Sequence, residues 1–140
     1  MPPWNAQNLG EMQSRGGTLE TIYEDTQSEI KISIAYSLHD KTRKLPNDIV
    51  SKYVFTQPRH QYDSRIQLPT FREIKVLWHY QYREHLNEKG YGVGSFILTR
   101  EIENGNLQLK INNLTNTRYE YVAGVPMPGR WIAIETTLNL

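Results

Sequence analysis

The sequence predicts an α+β fold: an antiparallel sheet of about five to six strands with a C-terminal meander, covered on one face by one long helix plus one short helix. Three observations carry that expectation. Residues 29–38 alternate apolar and polar side chains with a period of two, as a half-buried strand does. Residues 68–90, LPTFREIKVLWHYQYREHLNEKG, carry helix punctuation at both ends. From Tyr91 onward, apolar runs are separated by closely spaced turn residues.

The chain has 140 residues, enough for one core and too few for two domains. A flexible N-terminal arm is expected over 1–17 and a single α+β domain over 18–140. The arm is rich in Pro, Asn, Gln and Gly, ends in Gly16-Gly17, and has only Trp4, Leu9 and Met12 as apolar anchors. Residues 18–24 read as a short strand and Asp25-Thr26-Gln27-Ser28 as a turn. Residues 29–38 return as the second strand of a hairpin, with Ile30, Ile32, Ile34, Tyr36 and Leu38 on one side. After a basic loop over 39–44, Leu45-Pro46-Asn47-Asp48 opens a short helix bearing Ile49, Val50, Tyr53 and Val54. Residues 56–69 form a long connector. Structureless connections of that length are uncommon and often functional, which makes this segment the first functional suspect.

The long helix follows. Thr70 and Glu73 make a capping box, and Gly90 offers the left-handed stop. Projected at about 100° per residue, Phe71, Ile74, Trp78 and Tyr82 form a core stripe, while Val76, Tyr80 and Arg83 lie opposite, as on a helix covered from two sides. Four strands then follow over 95–102, 107–114, 117–123 and 130–138. Asn104-Gly105 turns the first pair, and the apolar loop 124–129 is broken by its prolines. The expected order of strand, short helix, longer helix and hairpin is loosely similar to that of viral matrix proteins.

Composition limits function. Sixteen basic and fifteen acidic residues leave a net charge of +1, too little for a global field that holds nucleic acid or an anionic membrane. The absence of cysteine excludes disulfide and thiolate chemistry. The first residues lack a secretory pattern, and no apolar run approaches the roughly 20 residues of a membrane span. A cytoplasmic location is therefore expected, or a virion if the protein is viral. Asn113-Leu114-Thr115 matches a glycosylation sequon and is read as chance.

These features point to a non-catalytic structural or interaction protein, a self-associating subunit of a larger assembly of virus or phage type. The expected partner-binding residues are Trp4, which would plug a neighbouring subunit, the helix residues Val76, Tyr80 and Arg83, and Val125 and Met127 of the apolar loop. Two alternatives stand beside this reading. In the first, a nucleic-acid-binding module uses the 57–85 region, where Arg59, His60, Tyr62, Arg65, Arg72 and Lys75 interleave cations with aromatics. In the second, a small hydrolase uses His60 and Asp63 as an acid/base pair. His79 and His85 are six apart and lack metal-ligand geometry on a helix. No cofactor or metal is expected, since neither a Gly-rich phosphate loop nor a nucleophile elbow is present.

Overall fold

A computed structural model describes residues 11–44, 58–85, 89–122 and 124–138. Among them the chain is all-β, and the expected α+β class is overturned. Nine strands are present: β1 Glu11–Asp25, β2 Ile30–Lys44, β3 His60–Phe71, β4 Ile74–Glu84, β5 Tyr91–Ile102, β6 Gly105–Asn112, β7 Glu120–Val122, β8 Val125–Pro126 and β9 Trp131–Leu138. Seven of them form one antiparallel sheet in the order β1-β2-β3-β4-β5-β6-β9, while β7 and β8 make a small separate pair. The expected connector over 56–69 is mostly β3, and the expected long helix over 68–90 holds the end of β3, the turn and the whole of β4, stopping short of β5. The helix expected after Leu45 and the pocket-filling Trp4 lie outside the described residues. With no helix among the described residues, the likeness in element order to viral matrix proteins lapses.

The reason is legible in β4 itself. Along IKVLWHYQYRE, Ile74, Val76, Trp78, Tyr80 and Tyr82 occupy every second position, and β-branched and aromatic side chains fit a pleated surface. A helix would scatter these five around its circumference, whereas a strand places all five on one face. The apparent capping box sits in a tight turn. Arg72 (φ 48°) and Glu73 (φ 66°) are both left-handed, as a two-residue type I′ hairpin requires. The Thr70 amide donates to Glu29 Oε2 at 3.2 Å, tying the β1–β2 turn to an irregularity in β3 between Leu68 and Phe71. Pro69 falls at that irregularity, where the ladder tolerates a missing donor.

The β1–β2 hairpin is present and longer than expected, pairing Asp25 with Ile30 at the turn and Glu11 with Lys44 at the far end. Its turn is an Asx turn, in which Asp25 accepts from the Gln27 amide (3.0 Å) and the Ser28 hydroxyl (2.6 Å). At the β5–β6 turn, Ile102 pairs with Gly105 across Glu103 and Asn104. Gly105 has φ 154°, and a Cβ there would collide with the Thr137 carbonyl of β9.

Register assigns every strand residue to a face. Ile32, Ile66, Trp78, Phe96, Ile111 and Ile132 follow one another across six strands by successive pairings, and they share one face. The other face carries Ser33, Arg65, His79 and Ser95 in one row, and Gln67, Leu77, Ile97, Lys110 and Ala133 in the next. The sheet is therefore amphipathic, with one face mainly apolar and the other mixed. No second layer covers it: among the described residues no hydrophobic side chain is buried, and Leu19, Ile134, Ile132 and Phe71 are largely exposed.

Among the described residues, the segment between β6 and β9 stands apart from the seven-stranded sheet and carries the β7–β8 pair. Asn113 anchors it from a left-handed conformation (φ 51°) with only 1 % of its surface exposed. Its Oδ1 accepts from the Thr117 amide (2.8 Å), and its Nδ2 donates to the carbonyls of Thr117 (2.8 Å) and Pro128 (3.2 Å). The sequon asparagine is thus consumed by the fold, and the folded chain offers no acceptor amide. Asn116 repeats the device, accepting from the Arg130 amide at 2.8 Å.

Candidate functional site

The feature that stands out is the apolar face, and its centre is an aromatic wall. Trp78, Tyr80 and Tyr82 of β4 lean one step along the strand, so that each ring lies over a glycine of the β5 side: Gly94, Gly92 and Gly90 in turn. A Cβ at Gly94 would lie 2.8 Å from the Trp78 ring, and one at Gly92 or Gly90 would collide with a tyrosine hydroxyl. The spacing GYGVG thus leaves room for three rings to lie low on the sheet. Phe96 closes the row, its ring centroid 4.5 Å from that of Trp78, and Tyr62 meets Tyr80 at 6.2 Å.

The wall changes character along its length. At one end Tyr36 and His60 share a hydrogen bond between Oη and Nδ1 (2.7 Å), and Tyr82 donates to Glu84 (2.8 Å). That bond to Glu84, burial and the Glu84 charge push the Tyr82 hydroxyl above its ordinary pKa. Away from this end the face becomes aliphatic, with Ile32, Ile34, Leu98, Leu109, Ile132 and Ile134.

On the polar face several charged side chains hold one another. Asp63 accepts from His79 Nε2 (2.9 Å) and Gln81 Nε2 (3.0 Å), with Arg65 3.4 Å away. Burial pushes the Asp63 carboxyl up, but the two hydrogen bonds and the charges of His79 and Arg65 outweigh it and hold the pKa below the ordinary value. Lys75 pairs with Glu101 and Lys110 with Glu135, each at 2.6 Å. Over one corner, Tyr119 stacks on Tyr91 at 4.9 Å, while Tyr121 lies under the Arg83 guanidinium at 4.7 Å. Below this cover runs an open groove of about 900 Å³ lined in part by Lys89, Tyr91, Arg118 and Met127.

The structure regroups the residues singled out from sequence. Val76 and Tyr80 lie together on the apolar face, joined there by Ile74, Trp78 and Tyr82, which a helix would have set apart from them. Arg83 is on the polar face against Tyr121, Val125 is in β8, and Met127 lines the corner groove. The nucleic-acid set is divided. His60 and Tyr62 face the apolar side, Arg65 and Lys75 the polar side, where carboxylates neutralise them, and Arg72 occupies the β3–β4 turn over the Phe71 ring. Arg59 precedes β3, and its backbone links Glu84 and His39. His60 and Asp63 project to opposite faces of β3, so no acid/base pair forms between them.

Sequence reasoning missed Leu19, Leu107, Leu109, Ile132 and Ile134 as surface. The expected long helix would have covered one face of the sheet, whereas its residues form β3 and β4 within that sheet and leave the face open. The chain matches no protein-family model, and no curated protein matches it in sequence. Among the described residues no helix is long and apolar enough to cross a membrane.

Proposed function

We propose that the protein is a non-catalytic, self-associating structural subunit, and that the apolar face of its sheet is covered by the same face of a second copy. A single observation carries this reading: an amphipathic seven-stranded sheet with no hydrophobic side chain buried among the described residues. Burial of apolar surface is the main favourable term in folding, and a one-layer sheet leaves that term unused.

A second copy suits the face because two such sheets pack as a sandwich, about 10 Å apart, with aliphatic ends and aromatic centres interdigitating. The hydrogen-bonded tyrosines and the Glu84 carboxylate at one end suit a polar rim better than lipid. The pairing of Arg65 and Lys75 with carboxylates, and the separation of His60 and Tyr62 from them on the opposite face, weigh against a nucleic-acid groove.

Size-exclusion chromatography with light scattering tests the reading. The wild-type chain is expected to run as a dimer or larger. Ile34→Asp, which places a charge within the apolar face, is expected to lower the mass of the assembly by removing the face-to-face contact. A wild-type monomer at high concentration refutes the proposal, and so does binding to lipid vesicles in place of self-association.

A further inference from the structure

We propose that β9 is a pairing edge, at which a second copy of this chain adds its own β9 antiparallel about a two-fold axis through Ile134. This deepens the self-association reading with a join that is separate from the covered face.

The sheet ends at β9, so one row of its backbone donors and acceptors has no strand beside it. Every residue of β9 except Ala133 is exposed. Open edges are normally blunted by lysine, proline, bulges or unpaired charge. Residues 131–138 contain no lysine or proline, and their register with β6 runs unbroken from Asn112–Trp131 to Gly105–Leu138. The one charge in β9, Glu135, is already held by Lys110 of β6 at 2.6 Å. The opposite edge is different: β1 carries Arg15, Glu20, Glu24 and Asp25, and includes Gly16-Gly17, which have no side chains to pack against a partner strand.

The sequence of β9 is also self-complementary. Pairing about Ile134 sets Ile134 against its own copy, Ile132 against the partner's Thr136, Ala133 against the partner's Glu135, and Trp131 against the partner's Thr137. On the apolar face Ile134 meets its own copy and Ile132 meets a threonine, and no like charges oppose each other. A slip of one residue sets apolar positions against polar ones. Centring on Glu135 instead opposes two carboxylates, and centring on Ala133 shortens the overlap. The join about Ile134 makes the two apolar faces continuous, so that one larger apolar surface is presented for covering.

Because the chain has no cysteine, single introduced thiols report on this register. Ala133→Cys and Glu135→Cys both lie on the polar face, outside any sandwich formed through the apolar face. Directly paired residues fall within disulfide reach, whereas the diagonal 133–133 and 135–135 separations of roughly 7–8 Å do not. Under mild oxidation, a mixture of the two variants is expected to give at least tenfold more cross-linked dimer than either variant alone. If no mixed disulfide forms while light scattering still reports an oligomer, the edge inference falls and the covered face stands. If the chain is monomeric throughout, both fall. Preferential cross-linking of Ala133→Cys to Glu20→Cys reveals a head-to-tail join to β1 and overturns the two-fold pairing.

Discussion

Truncating Leu19 or Ile134 to alanine separates a covered face from every reading in which the sheet stands alone. The two side chains lie at opposite edges of the apolar face, in β1 and β9, and are 72 % and 73 % exposed in the single chain. Leu→Ala or Ile→Ala removes three carbon groups, each worth about 0.8 kcal/mol when fully buried. Scaled by the exposed fraction, each truncation forfeits about 1.8 kcal/mol that the partner sheet would have supplied. In a two-fold assembly the loss is counted twice, about 3.5 kcal/mol, which raises the dissociation constant roughly 300-fold. Sedimentation equilibrium over a wide concentration range measures this directly. Ile22→Ala is the control, because Ile22 is 58 % exposed on the polar face and is expected to leave the constant unchanged. Dissociation constants within about threefold of wild type for both Leu19→Ala and Ile134→Ala refute the argument. An effect at Ile134 alone means that copies meet only at the β9 edge.

Three further outcomes are expected. Asp63→Asn costs about 1–3 kcal/mol at neutral pH in urea unfolding, since an ionised acceptor of two hydrogen bonds is lost. Because the Asp63 pKa is depressed when folded, its contribution is present above the ordinary value of 3.8 and disappears as pH falls below it, so the wild type loses its advantage over Asp63→Asn in that range. Gly92→Ala forces the Tyr80 ring off the sheet and destabilises by about 1–3 kcal/mol, and combining it with Tyr80→Ala costs clearly less than the sum of the two, as thermal unfolding measures. Replacing Arg72-Glu73 by Asn-Gly raises stability by about 1 kcal/mol, because two left-handed residues are relieved at the cost of the exposed Arg100–Glu73 pair; an unchanged urea midpoint contradicts that account.

The strands at both ends of the chain were legible because period-two alternation and turn chemistry agreed there: Ile30 to Leu38 with Asp25, and Leu107 to Ile111 with Asn104-Gly105. The centre misled because two periodicities coexist between residues 70 and 84. Ile74, Trp78 and Tyr82 are spaced by four, which fits a helix, yet with Val76 and Tyr80 they also fill every second position, which fits a strand. Thr70, Glu73 and Gly90 tipped the balance toward a helix. What decides the matter lies on β5, where the glycines that accept the β4 rings can be seen only once the strands are paired. The same pairing sets His60 and Tyr62 on one face and Arg65 and Lys75 on the other, a separation that linear spacing hides. Val76 and Tyr80 were singled out as surface residues; the structure sets both on the open sheet face, and their use in partner binding remains a proposal.

The sheet is a strict succession in which each element touches only the strands beside it. Such an array behaves as a nearest-neighbour chain, whose cooperativity runs sideways from strand to strand. Opening then begins at the two ends of the row and moves inward, with β4 the last to lose its partners. Amide hydrogen exchange of the isolated chain should therefore form a ramp, fastest in β1 and β9 and slowest around Trp78. A copy joined at β9 removes one end of that row, flattens the ramp there, and makes the β9 amides report on assembly itself.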